Sequence, residues 1–205
     1  MKILCINFNI VMYNCIKLYA DKVNINENPK LIWDYLNDVY EMDKHTSIDA
    51  RILSSLIALI KKNKSAKFAP IISPRAIVEE MKDNSNIDVT NISFFHDLVN
   101  TKEEIEDWDK DNYTDLNWLG YLIYKNKVEN CTWVKAPNSF PCENNIVDDV
   151  KILNIYDIDK LGNDYDIIYF NLSPHFVPYK YEYIFRLFCD FFSNNTEEEN
   201  TNESK

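Results

Sequence analysis

Residues 48–72 read IDARILSSLIALIKKNKSAKFAPII, and the change of pattern within this stretch decides the fold class. From Ile48 to Ile60 the apolar residues Ile52, Leu53, Leu56, Ile57 and Ile60 recur three and four apart, which predicts an amphipathic helix. Lys61 and Lys62 suit its C-terminus. From Lys67 to Ile72 the pattern turns into a short apolar run of strand length. Comparable runs lie at Ile3 to Phe8, Asp88 to Phe95, Cys131 to Val134, Lys151 to Ile155 and Asp166 to Asn171. Helical patterns over Pro29 to Met42, Pro74 to Met81, Tyr113 to Lys125 and Tyr179 to Phe192 complete the alternation. Near-continuously apolar strands alternating with helices predict a single α/β domain over residues 1–192, with a mostly parallel central sheet flanked by helices. Residues 193–205 hold no apolar side chain and are expected to form a polar, acidic tail.

Composition bounds the function. The chain has 205 residues, 46% of them hydrophobic, enough for one well-filled core. Its formal charge is −11, from 33 acidic and 22 basic residues, with only Arg51, Arg75 and Arg186 as arginines. That balance argues against direct nucleic-acid binding by phosphate neutralisation and suits either a solubilising surface or a protein partner with a basic surface. No apolar run approaches the roughly 20 residues of a membrane span. The opening residues lack the charged and small-residue marks of a signal peptide, so no membrane association is expected. Five cysteines without a CxxC pair predict reduced thiols and a cytoplasmic protein. Heavy use of Asn, Ile, Lys and Tyr suggests an AT-rich coding sequence, as in a low-GC bacterium or a phage. With only Gly120 and Gly162, neither a GxGxxG turn nor a P-loop can be built.

In a parallel sheet, functional side chains gather beyond the carboxyl ends of the strands. Four segments fall there: Asn7-Phe8-Asn9, the run Ser93 to Asp97, Asn117-Trp118, and Ser173 to Pro178. Together they are expected to line one crevice. Each has a plainer reading as well. Asn7 and Asn9 suit backbone groups at a strand end, His96 and Asp97 suit a hydrogen-bonded structural pair, and Ser173-Pro174-His175 suits a turn. Cys142 with His96 could form a thiolate pair, although no flanking signature supports it.

The ordered segments CINFNIVMYNCIKLY (residues 5–19), DVTNISFFHDL (88–98), LNWLGYLIYKNKVENCTWVKAPNS (116–139) and YDIIYFNLSPHFVPYKY (165–181) resemble the arginase-like family of bacterial and phage proteins, relatives of the peptide arginases. The resemblance implies an arginase-type α/β fold with two Mn²⁺ ions held by carboxylates and imidazoles at strand ends. It also implies a DxHxD motif on the third strand, where this chain has Ser93, Phe95 and Asp97, so that only Asp97 matches. His96 occupies the alternate position, which on an extended strand points away. Asn7 and Asn9 stand where aspartates are implied, and a neutral amide replaces a carboxylate poorly beside a divalent ion.

The acidic run Glu103, Glu104, Glu106, Asp107, Asp109 and Asp111 surrounds Trp108. It reads either as a solvated loop or as a partner-binding surface with an aromatic anchor. The resulting expectation is a non-catalytic acidic binding protein on a decayed arginase-like scaffold. With a phage or mobile-element source, it would inhibit a host nucleic-acid-binding defence enzyme, as anti-CRISPR proteins do, and hold no cofactor. The alternative is a metal-dependent hydrolase using Mn²⁺ and acting on guanidinium or amide groups.

Overall fold

Among the described residues, six strands form one parallel sheet in the order β2-β6-β1-β3-β4-β5. They are β1 (Lys2–Asn7), β2 (Lys67–Ile71), β3 (Ile87–Ile92), β4 (Val128–Lys135), β5 (Val150–Asn154) and β6 (Ile167–Asn171). The computed structural model describes residues 1–98, 101–140 and 150–202, except for the side chains of 194–202. Cys142 and its proposed pairing with His96 fall outside the described residues.

The helices are α1 (Pro29–Tyr40), α2 (Met42–His45), α3 (Ala50–Lys62), α4 (Arg75–Met81), α5 (Lys102–Trp108), α6 (Trp118–Tyr124) and α7 (Glu182–Asn202). Their ends follow local chemistry. The side chain of Asp49 accepts from the backbone N–H groups of Arg51 and Ile52, which opens α3. Asn28 does the same for α1, with Pro29 in the first turn. Glu41, in the left-handed conformation at φ 50°, ends α1 at Tyr40, short of the Met42 that the pattern predicted. The pattern from Tyr113 also starts too early. Asn117 accepts from the backbone N–H of Thr114 (2.7 Å) and Thr114 from that of Leu116 (3.2 Å), a turn that delays α6 to Trp118. At the other end of the chain, α7 runs on to Asn202, through residues expected to be a tail from Ser193.

Alternation along the central strands divides the core in two. Leu4, Ile6, Ile168 and Phe170 face one layer, with α1, α3 and α7 packed on it. Ile3, Cys5 and Tyr169 face the other, under α4 and α6. β1, β3 and β6, which carry Ile3, Ile6, Val89, Ile92, Ile167 and Tyr169, are adjacent at the centre, in the register Ile3↔Val89 and Ile3↔Ile167. β2 lies at one edge, which explains how Pro70 is accommodated inside a strand.

Gly120 marks a close backbone approach in the second layer. A Cβ there would lie 2.6 Å from the carbonyl oxygen of Leu98 and 2.8 Å from Cη2 of Trp108. Gly120→Ala would gain about 1 kcal/mol of helix propensity, but the backbone contact cannot yield. We expect a net loss of about 1–3 kcal/mol, read as a lower urea midpoint at unchanged slope; a gain in stability would show that α6 can shift.

Candidate functional site

The chain leaves β1 toward β2 on one side of the sheet and leaves β3 toward β4 on the other, with the intervening helices on opposite faces. This reversal opens a crevice at the carboxyl ends of β1 and β3, the place where parallel sheets take ligands. A cavity of about 390 Å³ lies there.

Its floor is built from the first strand end. β1 stops at Asn7, and Phe8–Met12 coil into a 3-10 turn capped by the Asn7 side chain, whose Oδ1 accepts from the backbone N–H of Asn9 (3.1 Å). Asn9 is fully buried. Its Oδ1 accepts from the backbone N–H of Phe94 (3.1 Å), which fixes the amide and leaves Nδ2 as a buried donor with no partner among the described residues. Phe95, Asp97, Ser173 and His175 from the other two strand ends join the lining. Asp97 and Ser173 both adopt left-handed backbone angles, φ 58° and 52°, uncommon outside glycine and enriched at functional turns.

Asp97 is 2% exposed, and burial pushes its carboxyl up to about 7. Hydrogen bonds from Asn91 (Nδ2 to Oδ2, 2.9 Å), Trp118 and Ser93 oppose that shift, while the charge of Asp115 adds to it. The Asp97 carbonyl accepts from the backbone N–H groups of Leu119 and Gly120, anchoring the turn to α6.

No family model, curated protein or solved structure matches this chain.

Of the residues expected at a strand-end crevice, Asn7, Asn9, Phe95, Asp97, Ser173 and His175 line the cavity. Ser93 and Asn117 are buried beside it. Ser93 accepts from the backbone N–H of Phe95 (3.3 Å), and Trp133 donates to the carbonyl of Ser93 (3.0 Å). The run 93–97 is a bend beyond β3, not the continuation of an extended strand. His96 accordingly leaves the cavity for a different reason from strand alternation: its ring packs edge-on against Trp133, and its Nδ1 accepts from the backbone N–H of Leu98 (3.0 Å). His175 Nε2 lies 3.1 Å from the carbonyl oxygen of Glu27, joining the turn before α7 to the segment before α1.

The donor set does not fit a pair of manganese ions. The amide oxygens of Asn7 and Asn9, their only ligating atoms, are committed to backbone N–H groups, and Asp97 is tied to Asn91, Trp118 and Ser93. Among the described residues no three His, Cys, Asp or Glu side chains come together as a metal cluster.

The acidic run is not a solvated loop with an exposed tryptophan. Residues 102–108 form helix α5, opened by a capping box in which Thr101 accepts from the N–H of Glu104 and Glu104 from that of Thr101. Trp108 is 2% exposed and packs on Tyr121 and Tyr124, so it is a core residue and not a surface anchor. Several of the acids have structural partners. Asp109 accepts from Tyr124 (2.6 Å) and Asp111 from Tyr121 (2.8 Å), while Asp107 pairs with Lys110 and Asp111 with Lys125. Glu103 and Glu106 face outward.

Sequence reasoning overlooked the second edge of the cavity. Ser73 and Arg75, directly after β2, line it, as does Asp115, which accepts from the Ser73 hydroxyl (2.6 Å). The strand-end rule applied to residues 67–72 would have found the first two. Asp115 lies in the turn before α6, which the pattern had read as helix.

Proposed function

We propose that this protein is a binding domain for a small polar molecule held in the strand-end cavity. The observation that carries the reading is Asn9, a fully buried residue of the cavity lining whose Nδ2 has no partner among the described residues. A buried donor without an acceptor costs about 1–3 kcal/mol, a cost that a bound acceptor would remove. The arginase-like resemblance supports the same location, because Asn7, Asn9, Phe95 and Asp97, four of the positions it implies for ligands, line this cavity. A protein partner with a basic surface is left supported by net charge and by the outward Glu103 and Glu106, now without an aromatic anchor.

A screen of small polar metabolites against isotopically labelled protein tests the reading. Binders are expected to shift the signals of Asn7, Asn9, Asp97 and Ser173 and to raise the melting temperature, by the equivalent of about 2.7 kcal/mol at a hundredfold excess over Kd. A screen whose binders all shift residues 102–111 and none at the strand ends would overturn it. A second reading, turnover of the occupant, is favoured by the carboxyl of Asp97 titrating near neutrality in a cleft. In the same screen it would show as a ligand whose own signals change with time.

A further inference from the structure

The polar groups of the cavity are unequal in what they still offer. Asn7 and Asn9 have spent their oxygens on backbone N–H groups, so both present Nδ2. The Ser173 hydroxyl accepts from Asn171 Nδ2 (2.9 Å), which leaves its hydrogen to donate. Asp97 turns its oxygens toward Asn91, Trp118 and Ser93, and Asp115 accepts from Ser73. What Asn7, Asn9 and Ser173 still offer is therefore donor capacity.

The cavity rim carries a charge of the same preference. Arg51 pairs with Asp49 (3.4 Å) and Arg186 with Glu182 (3.7 Å). Arg75, on the cavity wall, has no carboxylate partner among the described residues and stacks its guanidinium over Tyr113 at 5.3 Å. In a chain of charge −11, an arginine that finds no carboxylate partner is poised for an anion from outside. Asp97 and Asp115 line the same space, so the site tolerates one negative charge and disfavours two. Phe95, Phe176 and Ile25 supply apolar wall, which suits an organic molecule over an inorganic ion.

Resting on the pocket reading above, we propose that the occupant is a small organic monocarboxylate, held through its charge by Arg75 and through a second oxygen by the side-chain amides of Asn7 and Asn9.

The test uses the full chain at pH 6, with lactate, 3-hydroxybutyrate and mandelate as probes, lactamide and mandelamide as their neutral counterparts, and inorganic phosphate. Affinities are read by NMR titration of the Asn7 and Asn9 side-chain signals. The carboxylates are expected to bind at least tenfold more tightly than the amides and than phosphate. Arg75→Gln and Asn9→Asp should each weaken carboxylate binding at least tenfold. The second variant keeps an oxygen for the Phe94 N–H and replaces only the free donor, and a melting curve confirms that each variant is folded. Amides binding as tightly as acids at these same signals would overturn the monocarboxylate and leave the pocket reading standing. Phosphate binding as tightly as lactate, or binding indifferent to both substitutions, would overturn it too. If none of the probes moves these signals, the monocarboxylate is wrong, and the broader metabolite screen separately decides the pocket.

Discussion

Trp108→Ala should lower the unfolding free energy by about 3–5 kcal/mol, the range for truncating a buried aromatic residue. The indole lies under α6, in contact with the rings of Tyr121 and Tyr124 and beneath Gly120, so its removal leaves a void walled by backbone that cannot close. Its Nε1 has no hydrogen-bond partner among the described residues, so the loss comes from packing and not from a broken polar contact. Trp108→Phe, which keeps an aromatic ring, should cost less than half as much. Urea denaturation followed by far-UV circular dichroism checks both. A change below about 0.5 kcal/mol, the size of ordinary surface substitutions, would return Trp108 to the surface and revive α5 as a partner-binding face.

That residue shows where sequence reading failed and why. The acids around Trp108 suggested solvent, yet Thr101-Lys102-Glu103-Glu104 is a readable capping-box pattern, and Ile105 and Trp108 are three apart, on one helix face. The dense charge hid a helix capped by its own Glu104 and followed by two acids, Asp109 and Asp111, that accept from tyrosine hydroxyls. The sheet was legible for the opposite reason. Strands buried on both faces carry runs such as ILCIN and IIYFN, whose apolar density no competing local signal disturbs. At the site, the residue types were legible and their orientation was not. Asn7 and Asn9 stood out as strand-end amides, but which end of each amide is free depends on the N–H of Asn9 itself and on that of Phe94, 85 positions along the chain from Asn9. Arg75 went unnoticed because what distinguishes it is the lack of a carboxylate partner among the described residues, a property of the fold and not of the sequence.

The largest pH effect should come from Asp97. Its carboxyl titrates near 7 in the folded protein because burial disfavours the ion, whereas in the unfolded chain it returns to about 3.9. Between those values the native state holds a proton that the unfolded state has released, so stability must fall as pH rises through the window. Three pH units correspond to about 4 kcal/mol, contributed fully below about pH 4 and lost by about pH 7–8. The opposite shift at Asp49, whose carboxyl is held below its ordinary value by hydrogen bonds from Ile52 and Arg51 despite its partial burial, acts at the acid end. It removes stability only as pH falls below about 4, outside the window. Urea titrations at pH 5, 6, 7 and 8 should therefore show a declining midpoint in the native protein. In Asp97→Asn the decline should flatten, even though the amide offers Asn91, Trp118 and Ser93 one acceptor oxygen in place of two and starts from a lower stability. Equal slopes in the two proteins would show that the decline arises from the general −11 charge and that Asp97 ionises like an ordinary carboxylate. A native protein that gains stability from pH 5 to 8 would contradict the burial of its charge altogether.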